Sequence, residues 1–133
     1  MITLSDQEFN DIIAVCLDEL PLEYTDKLKN VLITYADDPS IDQRQKLHLR
    51  CNESLFGLYE GIPLTQKAEA NSIFSGRATY LPDRITIFKN PITQHSADSE
   101  SLKSQVKHTL WHEIAHYFGL DHDKIHSIES TWR

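Results

Sequence analysis

Apolar residues recur at two different periods along this chain, and the changes of period mark its elements. Phe9, Ile12, Ile13, Cys16, Leu17 and Leu20 fall at helical spacing and define one apolar face. Ser5 supplies an N-cap ahead of them and Glu8 completes a capping box, so a first helix is predicted, ended by Pro21. Val31 to Ala36 is a run of β-branched and aromatic residues closed by Asp37, Asp38 and Pro39, and reads as a strand. Leu55 to Tyr59, running into Glu60-Gly61, reads as a second. Arg84 to Lys89 alternates around Ile85, Ile87 and Phe88, between Pro82-Asp83 and Asn90-Pro91, and reads as a third. Residues 40–53 are polar and ambiguous, and residues 62–80 are expected to form an ordered but irregular loop.

A long helix is predicted from Asp98 or Ser99, with Glu100 well placed in its first turn, to a stop at Gly119. Leu102, Val106, Leu110, Ile114 and Phe118 form an apolar row along it. No internal repeat, low-complexity tract or linker interrupts the pattern, so residues 1–133 read as one domain.

The opposite side of that helix carries the chemistry. His112-Glu113-Ile114-Ala115-His116, followed by Gly119 and His122, spells HExxHxxGxxH. Residues four apart on a helix differ by about 40° in direction and ~6 Å along the axis, so two imidazoles so placed can converge on one tetrahedral metal. Glu113 points to the side of that pair, where it can take a proton from a metal-activated water without displacing it. Gly119 allows a sharp turn, after which His122 can swing back as third ligand and leave a fourth position open. At this chain's composition HExxH arises by chance in about 2% of chains, and the extended pattern in about 4 in 100,000.

The other histidines and nearby acids leave alternatives open. His126 rivals His122 as third ligand, and Asp121 or Asp123 can ligate or orient a ligand imidazole. His108, one turn before His112, reads as solvated or as a neighbour of the site, and His48 and His95 as surface residues.

Composition narrows the partners. The net charge of −7 repels phosphate backbones, so no nucleic-acid partner is expected, and Arg44, Lys46 and Arg50 make only a short, interrupted basic cluster. No stretch approaches the roughly 20 apolar residues that span a bilayer, so no membrane partner is expected either. Met1 to Asp11 lacks a basic start and a long apolar run, which points to the cytoplasm and to reduced thiols at Cys16 and Cys51. Neither cysteine belongs to a CxxC pair, so neither is expected to bind metal.

HExxHxxGxxH resembles the zinc signature of the metzincin peptidases, although the only methionine here is Met1, so no Met-turn follows, and only 11 residues come after His122. The chain more closely resembles a family of small bacterial zincin-like proteins with a minimal fold, described as candidate zinc metallopeptidases. The resemblance rests on Leu55 to Thr65 (LFGLYEGIPLT), Leu81 to Phe88 (LPDRITIF) and the metal helix through His116-Tyr117-Phe118-Gly119. Members often carry Asp where this chain has His122, which keeps that position a metal ligand.

The resemblance implies an α+β fold, with a small mixed sheet of three or four strands packed on the N-terminal helix and the long metal-binding helix. It implies a metal site for one Zn2+ ion but names no substrate; the peptide or protein substrate expected here comes from the hydrolytic chemistry, and in zincins an edge strand above the metal pairs with an extended substrate. Arg84–Lys89, or the irregular segment before it, is the expected edge. Tyr80, Arg84 and Tyr117 are candidates to stabilise the oxyanion.

Three functions follow from the same residues. The leading one is zinc-dependent peptide hydrolysis, with His112, His116 and His122 as ligands and Glu113 as general base. A metal-bound, non-hydrolytic binding module is the second, since a chain this short leaves little room for a deep cleft. A metal-dependent endoribonuclease is the third: Gly119-Leu120-Asp121-His122 resembles the Gly-x-Asp-His of an rRNA-maturation family, which typically has Gly where Glu113 stands.

Overall fold

The computed structural model describes residues 3–28, 30–50, 56–61 and 83–132, with backbone alone at 46–50 and 132. Its first helix, α1 (Asp6–Glu19), starts as its capping box dictates. The Ser5 hydroxyl accepts from the Glu8 N–H at 3.1 Å, and the Glu8 carboxylate accepts from the Ser5 N–H at 3.0 Å. Phe9, Ile13, Cys16 and Leu20 are buried along its apolar face. A short helix, α2 (Leu22–Thr25), follows Pro21.

Three strands form one mixed sheet: β1 (Val31–Ala36), β2 (Gly57–Glu60) and β3 (Asp83–Phe88). Their order is β1-β3-β2. β1 runs parallel to β3 from Val31↔Asp83 to Ala36↔Phe88, and β2 runs antiparallel to it from Gly57↔Ile87 to Glu60↔Arg84. The segment expected to offer an edge, Arg84–Lys89, therefore supplies Arg84–Phe88 to the central strand, flanked on both sides, while Lys89 begins the next helix. The reason is burial on both faces: five of the six β3 residues are buried, as suits a strand with cover above and below.

Two helices stand where no clear period was read. Residues 41–50 form α3 (Ile41–Arg50), started by a second capping box in which Ser40 Oγ accepts from the Gln43 N–H and Gln43 Oε1 accepts from the Ser40 N–H. Directly after β3 comes α4 (Lys89–Gln94), which holds Pro91 in its first turn, where its missing N–H costs nothing. The expected loop at 62–80, with Tyr80, lies outside the described residues, as do Cys51, Leu55 and the side chain of His48.

The long helix is α5 (Ser99–Phe118). Asp98 caps it, accepting from the Ser101 N–H at 2.8 Å. Gly119 closes it in the left-handed region (φ 73°), and the Leu120 N–H reaches back to the Ala115 carbonyl at 3.0 Å. The chain then turns into α6 (His122–Glu129), capped by Asp121, and ends in a 3-10 turn, Ser130–Trp132.

Leu102, Val106, Leu110 and Ile114 of α5 are buried in one core with α1 and with Tyr59, Ile85 and Ile87 of the sheet. Leu58, Phe88 and Ala36 form a smaller apolar cluster of their own. This is an α+β fold whose sheet packs on the motif-bearing helix, with α1 packed on the same helix and reaching β1 through Phe9 against Tyr35. Among the described residues no helix is long and apolar enough to cross a membrane.

Candidate metal centre

His112 and His116 lie one turn apart on α5, and their rings meet edge to face with centroids 4.5 Å apart. Glu113 sits one residue round the helix from His112, which turns it away from solvent and under β2. Its side chain is 1% exposed. A carboxylate this deep needs donors, and one of its oxygens has them. Glu113 Oε1 accepts from the Tyr59 N–H at 2.8 Å and lies 3.2 Å from His116 Nδ1. Glu113 Oε2 is buried with no hydrogen-bond partner among the described residues.

The close approach of β2 to α5 makes this possible. A Cβ on Gly57 would stand 2.5 Å from Thr109 Cγ2 and 3.2 Å from the Thr86 carbonyl oxygen, so only glycine lets the strand lie this near the helix. Two residues further on, the pleat brings the Tyr59 N–H onto Glu113. From the same residue, the buried Tyr59 side-chain hydroxyl donates to Asp83 Oδ2 at 2.7 Å.

His112, Glu113 and His116 form a group whose ligand atoms lie within 4.8 Å of one another. The set fits a zinc-class cation: two imidazoles converge beside a buried carboxylate oxygen that lacks a partner. Where His116 Nδ1–H donates to Glu113, its Nε2 keeps a lone pair for a metal. Burial, the largest effect, pushes the His112 pKa down, and His116, His108 and His122 push it further, against the opposing pull of the Glu113 carboxylate. A neutral imidazole is the form that ligates.

His122 comes near without joining this group. It begins α6, exposed, with its ring 6.0 Å from that of His112. Its rivals are engaged elsewhere or turned outward. Asp121 Oδ1 accepts from the Lys124 N–H at 2.8 Å as the cap of α6, Asp123 is exposed, and His126 Nδ1 faces Glu129 Oε2 at 3.7 Å. His95 is exposed, as expected, with Nδ1 2.8 Å from the Pro91 carbonyl oxygen.

Of the oxyanion candidates, Arg84 is directed elsewhere. It alternates with Ile85, so it leaves the opposite face of the sheet, where it pairs with Glu60 at 3.2 Å. With Glu60, Gln43 and Thr86 it lines a cavity of about 460 Å³ between α3 and the sheet. Tyr117 is 2% exposed and packs against Tyr59 and Phe118. The residue that sequence reasoning missed is Tyr59, which acts through its backbone N–H and so has no side-chain signature.

A family model described as zincin-like metallopeptidase matches residues 28–132 of the chain. No curated protein matches it.

Proposed function

Because the chain belongs to the zincin-like metallopeptidase family, we propose that it hydrolyses peptide bonds with zinc held by His112, His116 and His122 and with Glu113 as general base. The observation that carries this reading is the inequality of the two Glu113 oxygens. Oε1 is pinned by the Tyr59 N–H and faces His116, while Oε2 is buried without a partner. A side chain fixed through one oxygen presents the other as a proton acceptor in a set orientation, with little reorganisation left to make.

Zinc at this position would supply a Lewis acid that brings the pKa of water to about 7 and polarises the scissile carbonyl. Glu113 Oε2 takes the proton that water loses as its oxygen bonds to the carbonyl carbon. The same oxygen then delivers that proton to the amine nitrogen as the C–N bond breaks. His122, on the helix that follows the Gly119 turn, closes the ligand set by a change of its exposed rotamer. The substrate class is peptide or protein, and the acidic, thiol-bearing chain suits the cytoplasm.

The test is Glu113→Gln, which keeps an acceptor for the Tyr59 N–H and removes the base. Cleavage of a mixed-sequence peptide library, read by mass spectrometry, should fall at least ~100-fold with zinc content unchanged. Undiminished turnover in the variant would overturn the mechanism. One other reading, a zinc-bound module that binds without cleaving, is favoured by the exposed His122 ring, which stands outside the His112–Glu113–His116 group. Stoichiometric zinc with no cleavage by the wild-type chain would select it.

A further inference from the structure

Glu129 lies in the last turn of α6 with its side chain only 15% exposed. Two imidazoles from different helices flank it. His108 Nδ1, on α5, is 3.4 Å from Oε1, and His126 Nδ1, on α6, is 3.7 Å from Oε2. Neither contact is a hydrogen bond, and Oε1 is buried with no hydrogen-bond partner among the described residues. A carboxylate drawn out of water without donors is costly, so the arrangement calls for a cation.

The spacing says which kind. Two ligand atoms bound to one tetrahedral zinc, with bonds of about 2.0–2.1 Å, stand ~3.3 Å apart. The two nitrogen–oxygen separations, 3.4 Å to Oε1 and 3.7 Å to Oε2, are each near that edge length but end on different oxygens, so a turn of the exposed rings is what would bring both to one ion. Two imidazoles and a carboxylate are also a donor set that zinc accepts. We propose that His108, His126 and Glu129 form a second site for a divalent cation of the zinc class, separate from the centre at His112 and His116.

The second site is looser than the first. The ligand atoms of His112, Glu113 and His116 already lie within 4.8 Å of one another, whereas His108 and His126 must turn to meet. They are free to do so, with side chains 53% and 70% exposed. An ion there would crosslink α5 to α6, and the His108 ring lies 6.3 Å from that of His112, one turn along the same helix.

The experiment is a zinc titration of the chelator-stripped full chain, with bound ions counted by native mass spectrometry. Wild type should take up two, the second at least tenfold more weakly than the first. Glu129→Gln and His126→Ala should each take up one, and His116→Ala should keep the ion that Glu129→Gln loses. Circular dichroism melts show that each variant is folded, and His126, being exposed, is the substitution least able to disturb the core. A wild-type chain whose bound ions are all retained by folded Glu129→Gln overturns the proposal. The first centre is judged separately: an ion retained by His116→Ala and lost on adding Glu129→Gln supports the second site whatever becomes of the first.

Discussion

Glu113 holds β2 through Oε1 while its Oε2 stays buried without a hydrogen-bond partner among the described residues. Its neighbours in sequence explain its position but not that difference between its oxygens, because the Tyr59 N–H arrives from 54 residues away. Cys16 shows the opposite case, a residue whose environment its own periodicity foretold. It is fully buried on the apolar face of α1, with Sγ 3.5 Å from the Lys103 carbonyl oxygen. Burial, with the Glu19 carboxylate, pushes its thiol from about 9 up to about 11, against weaker opposing pulls from Lys103 and Lys107. At pH 8 in a Cys51→Ser background, alkylation should therefore run about 100-fold slower in the folded chain than in urea, a loss of thiolate that burial deepens further. Rapid labelling of the native chain would contradict this environment. The linkage has a definite sign. The unfolded thiol ionises near pH 9 and the folded one near 11, so its contribution to stability is full below 9 and lost as pH rises through 11.

At the scale of elements, the decisive contact is β2 against α5. Gly57→Ala would set a Cβ 2.5 Å from Thr109 Cγ2 and 3.2 Å from a backbone oxygen, so the strand must retreat. Overpacking of this kind costs about 1–3 kcal/mol. It should also draw the Tyr59 N–H off Glu113, so both melting temperature and zinc affinity should fall. Thr109→Ser removes the nearer methyl group and should restore part of both losses. A double variant no better than Gly57→Ala alone would show that the close approach is not what positions Glu113. Element starts were legible wherever a cap is local. Ser5 with Glu8 was read, and Ser40 with Gln43 carries the same signal for α3, although a polar helix offered no apolar period to support it. Strand order was not legible, because β3 looks the same as an edge candidate or as a centre until its neighbours are placed.

For the whole molecule, a cation bound only by the folded state must add to its stability. Zinc at a hundredfold excess over its dissociation constant contributes ~2.7 kcal/mol, which for a chain of 133 residues raises the melting temperature by about 10 °C. Calorimetry with and without a chelator checks this, and His116→Ala should remove most of the shift. An identical melt in both conditions would mean that the fold and the metal centre are not coupled.

The sequence by itself determined the first helix, the three strands, the long helix and the one-turn pairing of His112 with His116, because local periods and helical geometry fix neighbours a few residues apart. It also determined the stop at Gly119, where the left-handed turn suits a residue without a Cβ. Only the tertiary structure decided which strand lies in the middle of the sheet, which oxygen of Glu113 is left over, and that Glu129 falls between two imidazoles. These depend on groups far apart in the chain meeting at a few ångströms, and no local period records such a meeting.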